Sequence, residues 1–303
     1  NSMFNFNGDN IMKKLVPILI MLGFIALTMN SFAADPVYVD DDYTSGGGND
    51  GHTWGVDAFD NIQDGIDAVD PGGTVNVASG NYDETLTIQK SLHLKGEDNT
   101  NTILKYTNSS STREQLIMLG WNTGGTITGG VIIEKFKLIG DVGLNGDKDL
   151  IKLRADGESS APIVIRNNKM LGDGATRYLG IETSYNAGYV KIYNNSFTDL
   201  FFGAWFNVFE NSEFSNNVIT NSVYSGLAMS TSDTDKIHDL IVSGNKITGS
   251  GTNGSSSYPA YRVGMHIGST CSNIDFKDNE IYDNAVYGFY IIDRNSTNLN
   301  NLV

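Results

Sequence analysis

A six-residue pattern occurs five times in the second half of the chain. In each copy an apolar residue is followed by two variable residues, an asparagine, one variable residue and a second apolar residue. Asparagine is a poor strand former but is common in tight turns, so its repeated placement between apolar residues predicts a turn that joins two strands. The five asparagines are Asn168, Asn195, Asn217, Asn245 and Asn279.

A second series marks another strand in each repeat, because a glycine leads a short apolar run. The five runs are GIET from Gly180, GAWF from Gly203, GLAM from Gly226, GMHI from Gly264 and GFYI from Gly288. The two series alternate with spacings that are mostly in the twenties, which is typical of a solenoid with short strands. We therefore predict an all-β fold, a parallel β-helix with about three strands per coil, in which each asparagine bonds to its equivalent one coil away.

The segment before these repeats predicts a cap on the solenoid. Phe59, Ile62, Ile66 and Val69 fall on one helical face, Asp57 is a candidate N-cap, and Pro71 with the next two glycines ends the element. Three short strand-like runs follow, at 74–78, 86–88 and 92–94. An amphipathic helix that leads into short strands suggests a helix that covers the first coil.

Composition narrows the classes of partner. The chain has 303 residues, a formal net charge of −15 and a sequence pI of about 4.5. Such an acidic surface repels phosphate backbones, so we expect no nucleic-acid partner. Divalent cations would be attracted instead, although no cofactor is required by the sequence. The one cysteine, Cys271, excludes an intrachain disulfide.

The N-terminus predicts export. Lys13 and Lys14 precede an apolar run at 15–28, and Ser31-Phe32-Ala33 supplies small residues at both cleavage positions. We assign residues 1–33 to a signal peptide and expect a secreted or cell-surface protein with no membrane span in its mature form; an uncleaved N-terminal anchor is the alternative.

The rest of the chain divides into two parts. Residues 34–56 are interpreted as an acidic, glycine-rich lead-in, in which 40–51 forms either a flexible linker or a Ca²⁺-holding loop. Residues 57–303 are assigned to the β-helix. The last residues show no capping segment, and an open final coil exposes pairing edges, so we expect a monomer that is a fragment of a longer protein.

From residue 37 to the end the chain resembles the right-handed parallel β-helix superfamily of pectin lyase-like proteins. The resemblance is carried by VYVDDDYT, FDNIQDGIDAV, GGTVNVASGNYDE and KSLHLKGE, together with the asparagine repeats. It implies a single-stranded right-handed β-helix, an N-terminal helix that plugs the barrel, and a groove along one sheet where polysaccharides often bind. It does not imply catalysis, since the superfamily includes enzymes as well as surface and adhesion proteins.

Two short motifs resemble those of pectin methylesterases. GNYDE, at Gly80 to Glu84, matches a Gly-x-Tyr-x-Glu element, and DLFFG, at Asp199 to Gly203, is similar to the element that holds a nucleophilic Asp. We interpret the first as structural and place Asp199 in a turn. The second catalytic Asp and the Arg of that family have no counterpart, and the paired-Asp and His-Gly elements of polygalacturonases are absent too.

Strand alternation predicts which side chains of the glycine-led strands leave the core. Ile181, Ala204, Leu227, Met265 and Phe289 are expected to point inward. The next residues form an outward column of about 19 Å, and its aromatic faces suit sugar C–H surfaces. That column is Glu182, Trp205, Ala228, His266 and Tyr290.

Flanking loops add further candidates. A loop before the His266 strand carries Tyr258, Tyr261 and Arg262, which we expect to overhang the groove, and Asp233 and Asp235 lie on its other side as candidate Ca²⁺ ligands. Glu182, Trp205, His266, Tyr290, Tyr258 and Tyr261 are the predicted sugar contacts, and His266, Arg262 and Glu182 are weak catalytic candidates. Each also has an ordinary structural interpretation.

Three functions fit this picture. The first is an exported protein that binds extracellular or cell-surface polysaccharide along the groove. The second is a polysaccharide lyase or epimerase acting on uronate-containing glycans, which needs a base and a group that neutralises a carboxylate. The third is a noncatalytic adhesin or structural stalk.

Overall fold

The computed structural model describes residues 35–105, 115–140, 148–174, 177–230, 236–252, 262–268 and 271–291, and the backbone of 297–300. Within these residues the chain forms three parallel sheets and one short helix. The predicted signal peptide and the residues Tyr258, Tyr261, Asp233 and Asp235 lie outside the described residues. No helix in the described part is long and apolar enough to cross a membrane.

The strands are numbered along the chain and fall into three sheets, here called A, B and C. Sheet A contains β1 (Val37–Val39), β2 (Ala58–Phe59), β3 (Thr74–Val77), β6 (Leu92–Gly96), β9 (Val131–Glu134), β12 (Ile163–Arg166), β15 (Val190–Tyr193), β18 (Phe209–Ser215), β21 (Ile237–Ser243), β24 (Cys271–Lys277) and β27 (Thr297–Asn300). Sheet B contains β4 (Gly80–Asp83), β7 (Thr102–Lys105), β10 (Lys137–Ile139), β13 (Lys169–Leu171), β16 (Ser196–Thr198), β19 (Val218–Thr220), β22 (Lys246–Thr248) and β25 (Glu280–Tyr282). Sheet C contains β5 (Leu86–Ile88), β8 (Gln115–Gly120), β11 (Lys148–Arg154), β14 (Tyr178–Thr183), β17 (Phe202–Phe206), β20 (Leu227–Met229), β23 (Val263–Ile267) and β26 (Tyr287–Ile291).

From β3 onward the chain visits the sheets in the order A, B, C and then starts again, so each sheet gains one strand per coil. The strand pairs among the described residues are parallel and keep one register, as in Ile192 opposite Phe214 on sheet A. Inward side chains of the three sheets meet in one apolar core that runs along the solenoid. The predicted inward residues Ile181, Ala204, Leu227 and Met265 belong to it and are fully buried.

The helix α1 (Ile62–Ala68) packs against the first strands of sheet A and caps the core, as predicted. Its approach is close, because a Cβ added to Gly65 would lie 2.7 Å from a methyl carbon of Val39. The predicted cap residue was wrong. Asn61 is the N-cap and accepts from the Asp64 backbone N–H at 2.8 Å, whereas Asp57 accepts from the backbone N–H of Thr53.

The solenoid begins earlier than the predicted boundary at residue 57. Within the predicted lead-in, Val37–Val39 pairs with both β2 and β3, and the side chains of Val37 and Val39 are buried in the core. In the 40–51 segment the Asn49 side chain makes two hydrogen bonds to the Thr44 backbone. Asn49 Oδ1 accepts from the Thr44 N–H, and Asn49 Nδ2 donates to the Thr44 carbonyl. This segment is therefore held by hydrogen bonds of its own, and its role as a linker or a Ca²⁺-holding loop stays a prediction.

The GNYDE motif has a structural role. Its Glu84 carboxylate accepts from the first two backbone N–H groups of α1, those of Ile62 at 2.7 Å and Gln63 at 3.0 Å. These donors have no partner within the helix, so a carboxylate at that end satisfies them and complements the helix dipole. Tyr82 is buried in the core. The match to the esterase element therefore carries no catalytic implication.

The five repeat asparagines form a ladder at the turn from sheet A to sheet B. The Oδ1 atom of each later asparagine accepts from both the backbone N–H and the side-chain N–H of the asparagine one coil earlier. The donor–acceptor distances are 3.0 and 3.1 Å for Asn168 to Asn195, 3.0 and 3.1 Å for Asn195 to Asn217, 3.0 and 3.2 Å for Asn217 to Asn245, and 3.0 and 2.9 Å for Asn245 to Asn279. The same amides donate to carbonyls of sheet A, for example from Asn217 to Ile192 at 2.9 Å.

The residue before each ladder asparagine also has a fixed task. It adopts a left-handed backbone, with φ between 52° and 62° at Asn167, Asn194, Asn216, Gly244 and Asp278. Asparagine, aspartate and glycine are the residues that tolerate this conformation best. The doubled asparagine therefore combines a left-handed residue that turns the chain with a second residue whose side chain bonds along the solenoid.

We predict that Asn217→Ala lowers the free energy of unfolding by about 3 kcal/mol, because it leaves several buried donors and acceptors without partners. Its neighbour provides the matched control. Asn216→Gly keeps the left-handed backbone and removes only an exposed side chain, so its unfolding midpoint should stay close to wild type. Urea unfolding followed by circular dichroism measures both, and equal midpoints for the two variants would contradict the ladder's role.

Candidate functional site

The outer face of sheet C carries the predicted column. The strand register places Glu182 opposite Trp205, Trp205 opposite Ala228, Ala228 opposite His266, and His266 opposite Tyr290. The register continues further back than the prediction, from Glu182 to Lys152 and then to Met118 and Thr87. From Lys152 to Tyr290 it spans five strand spacings, or about 24 Å.

Outward position does not make these side chains exposed. Glu182 retains 5% of its accessible surface, and Ala228 and His266 retain none. Trp205 and Tyr290 are half-buried. The predicted open groove is therefore wrong as a description of the whole column. Polar side chains are buried at Glu182 and His266, and aromatic surface remains accessible at Trp205 and Tyr290.

A buried charged cluster lies at the Lys152 end of the column. The Lys152 ammonium contacts the Glu182 carboxylate directly and lies 3.6 Å from Asp149 Oδ2. Asn207 donates from Nδ2 to Glu182 Oε1 at 3.4 Å. Lys152 is only 2% exposed and Asp149 is buried as well. Buried charges are costly unless they are paired, so this arrangement is either a structural ion pair or a site prepared for chemistry.

Sequence reasoning missed Lys152 and Asp149. Their strand, β11, has no leading glycine, so the projection of the column began one coil too late at Gly180. A signal was present nevertheless, because KDLIKLR places lysines and an aspartate among the apolar residues of a predicted strand. Charged residues in such a run predict either a solvated face or a buried pair, and the sequence does not decide between them.

An aromatic cluster adjoins Trp205. The Trp205 ring lies 5.1 Å from that of Phe202, and Tyr224 lies 4.4 Å from Phe201 and 5.7 Å from Phe202. The guanidinium of Arg177 sits 5.0 Å from the centre of the Phe201 ring. The Trp205 Nε1 atom is buried and has no hydrogen-bond partner in the part of the chain that the structure describes. The accessible part of this half-buried indole is a suitable contact for a flat ligand.

A second aromatic group lies at the other end of the column. The rings of His266 and Tyr290 are stacked with centroids 5.9 Å apart, and Tyr290 stacks on Tyr287 at 6.0 Å. Tyr287 is 54% exposed, so the stack runs from the buried imidazole to the surface. Burial lowers the pKa of His266 to about 4, which keeps the imidazole neutral at pH 7.

The three predicted catalytic candidates do not come together. Glu182 and His266 are three strand spacings apart along the column, or about 14 Å, which excludes direct cooperation in one proton transfer. Arg262 donates from Nε to the Gly251 carbonyl at 3.1 Å. Of the three, only Glu182 lies beside another charged group of the column, Lys152.

The Ca²⁺ prediction stays a prediction. Its candidate ligands Asp233 and Asp235 lie outside the described residues. Among the residues that the structure describes, no group of three or more His, Cys, Asp or Glu side chains is arranged to hold a metal ion.

Two cavities lie on the outer face of sheet A. One of about 370 Å³ is lined by Tyr189, Lys191, Glu213 and Ile241 among others. The other, of about 530 Å³, lies near the N-terminal cap and includes Tyr38, Tyr43 and Lys95 in its lining. Both cavities lie on a different face from the column, and the Lys191 side chain provides a positive charge there for comparison with sheet C.

Comparison with known proteins supports the fold. No protein-family model matches the sequence, and no curated protein matches it either. Among solved structures, the A-module of the Azotobacter vinelandii mannuronan C-5 epimerase has a TM-score of 0.54 and 18% identity, over 74% of this chain and 61% of that one. The chain thus spans less than two thirds of that structure's length.

Pectin methylesterases are more distant in structure. The Erwinia chrysanthemi enzyme PemA has a TM-score of 0.39 and 14% identity over 80% of this chain and 70% of that one. A pectin methylesterase solved with a hexasaccharide has the same TM-score and 15% identity. With its three parallel sheets and the epimerase module as a structural neighbour, the chain has a parallel β-helix fold.

Proposed function

We propose that the outer face of sheet C binds an extracellular polysaccharide. The observation that carries this proposal is the spacing of accessible aromatic rings along one column. Trp205 and Tyr290 are three strand spacings apart, or about 14 Å, and each belongs to a cluster of further rings. Ring faces at such intervals match a chain of sugars, each of which presents a C–H face to an aromatic ring.

The fold neighbour is consistent with this proposal. The protein with the similar module is a mannuronan C-5 epimerase, an enzyme named for a polysaccharide substrate. At 18% identity the likeness concerns the fold, so it supports a polysaccharide ligand only by analogy. The proposed extracellular location rests on the predicted signal at residues 1–33.

We predict that Trp205→Ala weakens glycan binding about tenfold, since one well-packed aromatic contact contributes more than 1 kcal/mol. Trp205→Phe, which keeps a ring, should lose less. Affinity electrophoresis against a panel of neutral and acidic polysaccharides measures the change. Tyr282→Ala is the matched control, because Tyr282 is an exposed aromatic residue on sheet B.

Two outcomes would contradict the binding proposal. One is the absence of retardation of the wild-type protein in every gel. The other is equal retardation of wild type, Trp205→Ala and Tyr282→Ala. Either result would favour the third function, a structural stalk or adhesin without a sugar site on sheet C.

A second candidate function, a uronate lyase or epimerase, is favoured by the Lys152–Glu182 contact beside Trp205. Both reactions begin when a base removes the proton at C5, next to the sugar carboxylate. In a lyase the electron pair forms the C4–C5 double bond as the C4–O bond breaks and the leaving oxygen gains a proton; in an epimerase a proton returns to C5 from the opposite face. The Glu182 carboxylate is a candidate acceptor, and the Lys152 ammonium a candidate for stabilising the negative charge that develops on the sugar carboxylate.

If the pair is catalytic, Glu182→Gln should lower turnover at least a hundredfold while glycan retardation persists. Ultraviolet absorbance of unsaturated products detects a lyase, and uptake of deuterium at C5, followed by NMR, detects an epimerase. Each uronate polymer is tested with and without Ca²⁺. Wild-type protein that gives neither signal with any polymer would exclude catalysis and leave the binding proposal intact.

The same pair gives a stability test of its structural role. Lys152→Met alone leaves buried carboxylates without their cation and should cost about 3 kcal/mol of unfolding free energy. Adding Glu182→Met removes one of those carboxylates, so the double variant should unfold at higher urea than the single variant. Additive losses would show that Lys152 and Glu182 are not coupled.

A further inference from the structure

Arg154 lies beside the column on the same outer face of sheet C. It is two residues beyond Lys152 on β11, so both residues lie on the same face of the sheet. Arg154 is about 7 Å further along the strand. The register sets it opposite Gly120 in the same strand pair that sets Lys152 opposite Met118. Its side chain is half-buried at the edge of the column, where the chain leaves sheet C for sheet A.

Three neutral groups hold the Arg154 guanidinium in place. Nε donates to Ser184 Oγ at 3.2 Å, Nη1 donates to Asn122 Oδ1 at 3.0 Å, and the guanidinium carbon lies 4.9 Å from the centre of the Tyr185 ring. Nη1 also approaches the Asn122 carbonyl at 3.4 Å. The cation is therefore fixed from several sides before any ligand arrives.

None of these partners neutralises the charge. In the part of the chain that the structure describes, no carboxylate lies within ion-pair distance of Arg154. The contrast with Arg166 on sheet A is direct, because that guanidinium donates to Glu134 at 2.7 Å. A protein with a net charge of −15 has ample carboxylates to pair its arginines. An oriented and uncompensated guanidinium on the face with the aromatic rings points to an anion supplied from outside.

Tyr185 gives an independent indication at the same place. Its backbone is left-handed, with φ at 68°, and its ring is 56% exposed. Bulky residues rarely adopt this conformation, and such outliers are concentrated at functional sites. The next residue is tied down, since Asn186 donates from Nδ2 to Asp156 at 2.8 Å. The turn thus presents an aromatic ring to solvent in a conformation that an asparagine or glycine would adopt more easily.

We propose that Arg154 and Tyr185 form an acidic-sugar subsite at the edge of the column, an inference that rests on the proposed glycan binding. The ligand is a glycan whose sugars carry an anionic group, either a carboxylate or a sulfate. The guanidinium pairs with the anionic group, and the exposed part of the Tyr185 ring packs on the adjoining sugar ring. The subsite gives selectivity for acidic over neutral polymers, whereas Trp205 contributes to the binding of both.

The test compares a uronate polymer with the same polymer after reduction of its carboxyl groups. Arg154→Gln should weaken binding of the uronate polymer about tenfold or more, because a charge-assisted contact is lost, and should leave the neutral polymer within about twofold. Lys191→Gln is the matched control, because Lys191 is an exposed residue of sheet A. Its substitution changes the net charge of the protein by the same amount as Arg154→Gln. A neutral polymer that carries added sulfate groups is tested in the same way. The polymer whose binding Arg154→Gln weakens more identifies the anionic group that Arg154 binds.

Tyr185→Asn tests the second half of the subsite. Asparagine tolerates the left-handed backbone, so the variant should unfold at or above the wild-type midpoint while it binds the uronate polymer more weakly. Equal effects of Arg154→Gln and Lys191→Gln on the uronate polymer would overturn the proposal, as would equal effects of Arg154→Gln on the acidic and neutral polymers. A wild-type protein that binds the neutral polymer and not the acidic one would overturn it too. If wild type binds no polymer at all, the proposed glycan binding itself fails.

Discussion

The hydrogen-bonded asparagines at the turn from sheet A to sheet B are the constraint on which the rest depends. A buried amide must find partners for its carbonyl oxygen and for its two N–H groups. Here the amide oxygens of the last four asparagines accept from the asparagine one coil earlier, and that of Asn168 accepts from the backbone N–H of Phe136, so the bonds are satisfied only when successive coils stack in register. A slip of one residue would turn each inward side chain outward and break the ladder at the same time. Two independent penalties thus enforce the same alignment.

Because the register is fixed at that turn, like positions on sheet C lie above one another across coils of different length. The lengths of the connecting loops do not alter this result, since each strand pairs only with its neighbours. Residues as far apart in sequence as Lys152 and Tyr290 therefore share one column. A β-helix in this way assembles a linear surface from single residues contributed by separate coils, which suits a linear polymer better than a compact ligand.

The sequence predicted the register well because its signals are local. Asparagine at one turn is required by the hydrogen bonds between coils, and glycine before one strand by the close approach of the next coil, so both recur wherever that geometry recurs. The burial of side chains was not predictable to the same degree. Glu182 and His266 point outward as expected, yet both side chains are buried. Their burial depends on neighbouring side chains that are distant in sequence. The helix cap was misplaced for a related reason, since both Asp57 and Asn61 are good cap residues and tertiary packing chose between them.

Lys152 and Arg154 were missed because a charged residue in a strand has no periodic signal of its own. Their significance comes from what surrounds them: a carboxylate for the first, neutral groups for the second. This difference also explains how an acidic protein would bind an acidic polymer. At physiological ionic strength charges more than about 8 Å apart are largely screened. The net charge of −15 therefore slows the approach of an acidic polymer but has little influence on the energy of the contact itself. What decides the contact is the charge within that distance, and at the edge of the column this includes the Arg154 guanidinium, which forms no ion pair with a described carboxylate.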